Sequence, residues 1–365
     1  MSPMLPSATK RLEALVADGL FAVGAQLWVS HRGDEICDHA VGDAVAGPMT
    51  PATVHNCYCM GRPLTGLAIG SLWADGQLDP TRPISTLGLP EWAVPPFECS
   101  TLDVLDHQVG LDGLPAMEYR ITPAPARTDL VRVRLANAKP RPAYSEILGG
   151  IVLEEVIRAA TGCDSVADEL RRSVLEPLGV ERIALDAPAA RHLAAEGSVS
   201  VPIGGLPTRQ IPLLYELLDS SFTDLRPAFG VLCSARDIGR ALEGIRGALT
   251  ADPALPHSGP PVLRRDMLER LIAPRHPAFD DARVMRTMNV AGGFMVDARV
   301  NELGRHASPR SYGHHGGMAP AVTFTDLDHD LTVSIYLNGA EVGPPTARLE
   351  CLTIVDDVYR DLGLT

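Results

Sequence analysis

The sequence predicts an α+β fold, an antiparallel sheet of five or slightly more strands flanked by helices, with a mostly helical domain beside it. Strand-like stretches lie towards both ends of the chain, and helix-like stretches fill the middle. Pro/Gly-rich connections separate them, as at 122–127 and 201–207. With 365 residues, 45% hydrophobic and 21% charged, the chain has a globular composition and the length of one large domain or two packed ones.

The elements follow in order. Leu12, Leu15 and Val16 share one face and predict a helix over 7–18. Residues 23–30 and 35–41 read as strands joined by the turn His31-Arg32-Gly33-Asp34. Helices are expected at 64–75, 101–106, 147–161, 165–175 and 234–248. Three more strands are expected at 290–296, 321–325 and 331–337, the last two joined by an acidic turn, and a helix at 346–362. Strands from both ends imply one sheet built by the two termini. Residues 1–52 and 256–365 would then form a discontinuous sheet domain and 53–255 a helical one, with the Pro-rich stretch 255–261 at the boundary. No internal repeat is present.

The formal net charge is −13, which argues against nucleic-acid or anionic-membrane partners. No apolar run reaches bilayer length, and residues 1–21 have no signal-peptide core, so a cytoplasmic protein is expected. The seven cysteines are odd in number and scattered, which suits free thiols. No His/Cys spacing suggests a metal, and no cofactor is expected.

Three short stretches could carry chemistry. In Cys59-Met60-Gly61-Arg62 a thiol is expected on the first turn of a helix, where converging N–H groups and the macrodipole favour thiolate. Arg62, one turn on, would add to that bias. A thiolate attacks carbonyls without a strong base, whereas a guanidinium stays protonated and cannot serve as the base. Taken alone, Cys59 reads more readily as a small buried core residue. Tyr144-Ser145-Glu146 supplies a phenol and a carboxylate ahead of a long helix, although a packing tyrosine would look the same. Tyr312-Gly313-His314-His315-Gly316-Gly317 precedes a predicted strand and, alone, reads as a polar strand entry.

Residues 53–79 (TVHNCYCMGRPLTGLAIGSLWADGQLD) resemble the start of the catalytic helix of the serine β-lactamase and penicillin-binding-protein-like superfamily. The class C β-lactamase, esterase and transesterase branch is the nearest in pattern. That family reads Ser-x-x-Lys where this chain has Cys59 and Arg62. The second stretch is similar to the family's Tyr-x-Asn element, whose tyrosine shuttles protons; this would be Tyr144, with Glu146 in place of the amide. An Arg62–Glu146 pair would stand in for lysine and asparagine. The third stretch is similar to the family's His-x-Gly element. The resemblance makes the N–H groups of Cys59 and Gly317 oxyanion donors, which can contribute about 3–4 kcal/mol to a transition state. It also places His314 in the pocket, orienting a substrate or partnering Cys59, with His315 and Gly316 lining the substrate. Weaker echoes at 100–111 (with His107 and Gly110), 174–179, 229–237 and 291–297 extend the resemblance from about residue 10 to 360, with structural roles. The family fold would set the active site in the cleft between the two domains.

Three functions follow as expectations. The first is acyl transfer through a Cys59 thioester by an acyltransferase, cyclase or esterase. Its partner would be a small-molecule acyl substrate, free or linked to a carrier or coenzyme A, from biosynthesis, with weak or no β-lactam hydrolysis. The second is a catalytically silent protein whose cleft holds a small anion or a partner. The third is non-covalent acid–base chemistry by Tyr144 or Glu146. Nothing in the sequence indicates the oligomeric state.

Overall fold

The computed structural model describes residues 5–19, 22–44, 47–93, 98–111, 122–136, 141–195, 199–200, 230–251, 260–281, 284, 286–316, 321–339 and 346–365. Its helices are α1 (Pro6–Asp18), α2 (Gly61–Ala74), α3 (Thr101–Leu105), α4 (Ala124–Leu135), α5 (Glu146–Thr161), α6 (Val166–Leu170), α7 (Ala187–Ala195), α8 (Ala235–Thr250), α9 (Arg265–Ile272) and α10 (Thr346–Asp361). The strands are β1 (Gly24–His31), β2 (Asp34–Ala44), β3 (Gly47–Pro48), β4 (Val54–Asn56), β5 (Val199–Ser200), β6 (Leu232–Cys233), β7 (Phe279–Asp281), β8 (Arg286–Met288), β9 (Val290–Ala291), β10 (Phe294–Val296), β11 (Ser311–Gly316), β12 (Ala321–Asp326) and β13 (Leu331–Leu337).

The main sheet has eight strands in the order β3-β2-β1-β13-β12-β11-β10-β9, antiparallel at every pairing. β1 runs beside β13 with Ala25 opposite Leu337 and His31 opposite Leu331, so the two ends of the chain do build one sheet. The β1–β2 turn falls at Arg32 and Gly33, both left-handed (φ 58° and 89°), as a twisted two-residue hairpin requires.

The expected strand at 290–296 is instead a hairpin. Gly292 and Gly293 take φ of 59° and 85°, and Phe294 turns back to pair with Ala291. A continuous apolar pattern hides such a turn; the Gly-Gly pair is its signal. The 165–175 helix is α6 continued by a π turn over Arg171–Leu175. Residues 122–127, read as a connection, start α4, whose Pro125 sits in the first turn where a missing N–H costs nothing.

Helices cover both sides of the sheet. α1 and α10 pack together, and the Asp361 carboxylate accepts from the N–H groups of Ser7 and Ala8 (2.8 and 3.1 Å), capping α1. α8 lies on β1, β12 and β13 although it comes from the helix-rich middle. A capping box between Ser234 and Asp237 starts it, and Gly239 leaves space for the Trp28 ring, which a Cβ would meet at 2.3 Å. α2 is buried along nearly its whole length.

Two cores meet at the turn before α2. Cys57 and Met60 belong to the helical core, Tyr58 and Cys59 to the core shared by the sheet, α1 and α10. The seam depends on close backbone approach. A Cβ on Gly66 would stand 2.0 Å from the Gly292 carbonyl oxygen. Gly66→Ala is therefore expected to destabilise the protein by about 2–3 kcal/mol. Gly247→Ala, at an exposed position of α8 with nothing within 4 Å of the new Cβ, should stabilise it by ~0.5–1 kcal/mol. Thermal unfolding of the two variants followed by circular dichroism checks the opposite signs.

Candidate active site

The Cys59 turn is shaped by its neighbours. Asn56 Oδ1 accepts the Tyr58 N–H (2.8 Å), and Tyr58 takes a left-handed φ of 45°, rare for an aromatic residue and a mark of local constraint. The Cys57 carbonyl accepts the Met60 N–H (3.0 Å). The result is a 3₁₀ turn over Tyr58–Met60, with α2 starting only at Gly61. Cys59 thus precedes the helix rather than standing on its first turn. Its residue exposure is 1%, so the expected reachable thiol is in fact enclosed.

Arg62, the second residue of α2, is equally buried at 1% exposure. Its guanidinium donates to the Val104 carbonyl (2.6 Å) at the end of α3, where the helix dipole favours a cation. Further contacts run to the Ser145 carbonyl and to His107 Nδ1, both at 3.5 Å. Gly149 makes room, because a Cβ there would stand 3.0 and 3.1 Å from the two terminal guanidinium nitrogens. Glu146 opens α5, but its side chain, and with it the expected Arg62–Glu146 pair, lies outside the described residues.

His107 is more central than its sequence context implied. Its φ is 57°, its carbonyl accepts the Ala143 N–H (2.9 Å) and its Nδ1 accepts the Ser145 N–H (3.1 Å). An imidazole accepting at Nδ1 carries its proton on Nε2 when neutral. Burial, then Arg62, push its pKa well below the ordinary histidine value. These bonds hold 143–145 against His107 and put the Tyr144 ring 4.4 Å from the His107 ring, centroid to centroid.

Tyr144 is also fixed from the other side, where its N–H donates to Asp281 Oδ2 (2.6 Å). Its ring lies 6.4 Å from that of His314 on β11. His314 Nδ1 accepts the His315 N–H at 2.9 Å. The His315 carbonyl is 2.8 Å from the same nitrogen, but an Nδ1 donating there would turn a proton against that N–H. His314 Nε2 has no partner among the described residues. Burial is the main cause of its depressed pKa, about 3.

His315 falls on the alternate side of β11 and meets Arg286 of β8. Arg286 also donates to the Asn301 carbonyl (3.4 Å) and Met295 sulfur (3.5 Å). Burial, then Arg348, lower its pKa to about 10, and its charge interacts with Tyr144 and Cys59. Gly316 is the buried last residue of β11; Gly317 lies outside the described residues. Among the described residues no group of three or more His, Cys, Asp and Glu could hold a metal.

Cys59, Arg62, Tyr144 and His314 thus come from stretches as much as 255 residues apart to one buried locus. Sequence reasoning missed Arg286 and Asp281, which face each other on the β7–β8 hairpin. Their stretch, Asp280-Asp281-Ala282-Arg283-Val284-Met285-Arg286, mixes charged and apolar residues with no periodicity or motif that would mark either one.

Comparison with known proteins bears on the fold and the family. The Beta-lactamase family model matches residues 12–350. A family VIII carboxylesterase structure aligns at a TM-score of 0.74 with 19% identity, over 98% of both chains. A penicillin-binding protein homologue from Caulobacter crescentus aligns at 0.74 with 18% identity, over 98% of this chain and 97% of that one. EstCE1, a hydrolase with promiscuous acyltransferase activity, aligns at 0.70 with 16% identity, over 98% of both. No curated protein matches the sequence.

Two measurements test the site's electrostatics. Lysine lacks the planar fork that serves Val104, Ser145 and His107 together, so Arg62→Lys should cost ~2 kcal/mol in denaturant unfolding. His314 is neutral in the folded protein down to about pH 3, against 6.5 when unfolded. The unfolded chain therefore binds the extra proton between these values. This contribution is complete above the unfolded pKa and is lost as pH falls towards 3. A His314→Gln variant should lack one proton's worth of that slope, ~1.4 kcal/mol per pH unit, in melts between pH 6 and 4.

Proposed function

Because the chain belongs to the Beta-lactamase family, we propose that it is an acyl-transfer enzyme with Cys59 as its nucleophile. The observation that carries this reading is the convergence of Arg62, Tyr144 and His314 on the seam that holds Cys59. Such a set is hard to explain as packing alone, since it buries a cation and leaves His314 Nε2 without a partner among the described residues.

In this reading the Cys59 sulfur attacks an acyl carbonyl, and the Cys59 N–H, with that of Gly317, receives the oxyanion. The tetrahedral intermediate collapses to a thioester as the leaving group takes a proton from the Tyr144 hydroxyl. Water, an amine or an alcohol then attacks the thioester, returning its proton to Tyr144 and leaving Cys59 as the thiolate that began the cycle. His107 and His314 remain neutral, so Tyr144 is the group left to move protons, with Arg286 supplying positive charge to tyrosinate and thiolate. Arg62 positions the 143–145 segment and does not take a proton.

Thioesters favour aminolysis and transfer more than oxygen esters do, which supports an acyltransferase or cyclase role on a biosynthetic small molecule. The acyl donor would be free or linked to a carrier or coenzyme A. A site with arginine in the lysine position should hydrolyse β-lactams weakly or not at all.

The 1% exposure of Cys59 favours one other reading, a silent family member holding a small anion or a partner. Intact-mass analysis after incubation with short acyl thioesters and activated esters separates them. Acyl transfer predicts an adduct on Cys59, loss of turnover in Cys59→Ala and at least a 100-fold fall in Tyr144→Phe. A silent protein gives no adduct, yet its melting temperature rises with small carboxylates. If Tyr144→Phe abolishes turnover and Cys59→Ala does not, the chemistry is non-covalent.

A further inference from the structure

Immediately before the Tyr58–Met60 turn, a second sulfur site lies outside the machinery described above. β4 and β6 pair antiparallel with His55 opposite Cys233, and the Cys57 N–H continues the ladder to the Val231 carbonyl (2.8 Å). Cys57 and Cys233 thereby bring their sulfurs to 2.9 Å from each other. Both are free thiols. His55 Nδ1 stands 3.3 Å from the Cys57 sulfur, and the imidazole is held by stacking on Tyr336, centroids 3.2 Å apart and planes 6° from parallel. All four residues are buried at 1% exposure or less.

We propose that Cys57 and Cys233 are a peroxide-oxidised thiol pair that closes reversibly to a disulfide beside the Cys59 turn. The geometry needs little change, since a disulfide of ~2.05 Å requires the sulfurs to approach by only about 0.9 Å. Burial raises the Cys57 pKa, but the Cys233 thiol and His55 outweigh it and lower the value to about 5. Cys57 is accordingly the attacking sulfur. Its thiolate attacks one oxygen of hydrogen peroxide, the O–O bond breaks, and hydroxide leaves a sulfenic acid. The Cys233 sulfur then attacks the Cys57 sulfur, the S–O bond breaks, and a second hydroxide leaves. The two thiol protons convert both hydroxides to water, and the pair loses the two electrons that peroxide gains. Full burial selects the oxidant class, because a two-oxygen molecule suits this interior and a glutathione-sized disulfide does not.

The bond would tie β4 to β6 and fix the residue whose carbonyl accepts the Met60 N–H, so its closure is felt at Cys59 whether or not that sulfur forms an acyl-enzyme. The test needs no assayed activity. The reduced protein is titrated with hydrogen peroxide, blocked with iodoacetamide under denaturation and analysed without reduction. Chymotryptic cleavage after Tyr58 separates Cys57 from Cys59. The expected result is a loss of 2 Da in the intact mass measured before blocking, a crosslinked fragment joining Cys57 to Cys233 after it, and recovery of both thiols with dithiothreitol. Oxidised glutathione at the same concentration should give neither that bond nor a mixed disulfide at Cys57, and Cys233→Ala should lose the 2 Da shift. The proposal is overturned by a bond mapped to Cys57–Cys59 or any other pair, by sulfinic acid on Cys57 without a crosslink, or by unchanged mass at tenfold excess peroxide.

Discussion

One buried cation organises the surroundings of the site. A guanidinium taken from water must be matched by acceptors or it costs several kcal/mol, and Arg62 finds them at Val104, Ser145 and His107. Each carries a consequence. α3 ends at the guanidinium, His107 turns through a left-handed φ, 143–145 runs beside it, and glycine at 149 of α5 leaves it room. Tyr144 is placed by the same bonds. Arg62 is therefore more than a charge carrier: its large, permanently protonated group acts as a framework for the residues around it.

The distribution of charge follows from this. Two arginines reach the locus, Arg62 from the helical side and Arg286 from the β7–β8 hairpin, and three buried imidazoles, His107, His314 and His315, are held neutral between them. Cations of like sign and loss of water act together on those rings. A histidine-centred proton relay is disfavoured in such a setting, and a phenol gains importance.

Much of this was legible in the sequence, and the misses have physical reasons. The turn at Arg32-Gly33 and strands β12 and β13 follow from local period and turn chemistry, which need no distant partner. The order of Cys59, Tyr144 and His314 was legible through the resemblance, because motif spacing survives at low identity. The split of 290–296 into a hairpin was not, since both faces are buried and no polar alternation marks the turn. The acid-base character of the locus was hidden as well. His107 takes its role from a backbone conformation and from Arg62 across the fold, and Arg286 reaches the locus only after a hairpin without pattern folds over it.

The seam between β1 and β13 joins residues some three hundred positions apart. On a ribosome, β1 and β2 emerge first and form their local hairpin, with one long backbone edge lacking its neighbour until residues 331–337 are synthesised. The sheet's central pairing is thus among the last to form, and folding is governed by chain closure rather than by local elements. Until then the nascent chain presents an open strand to any other chain nearby.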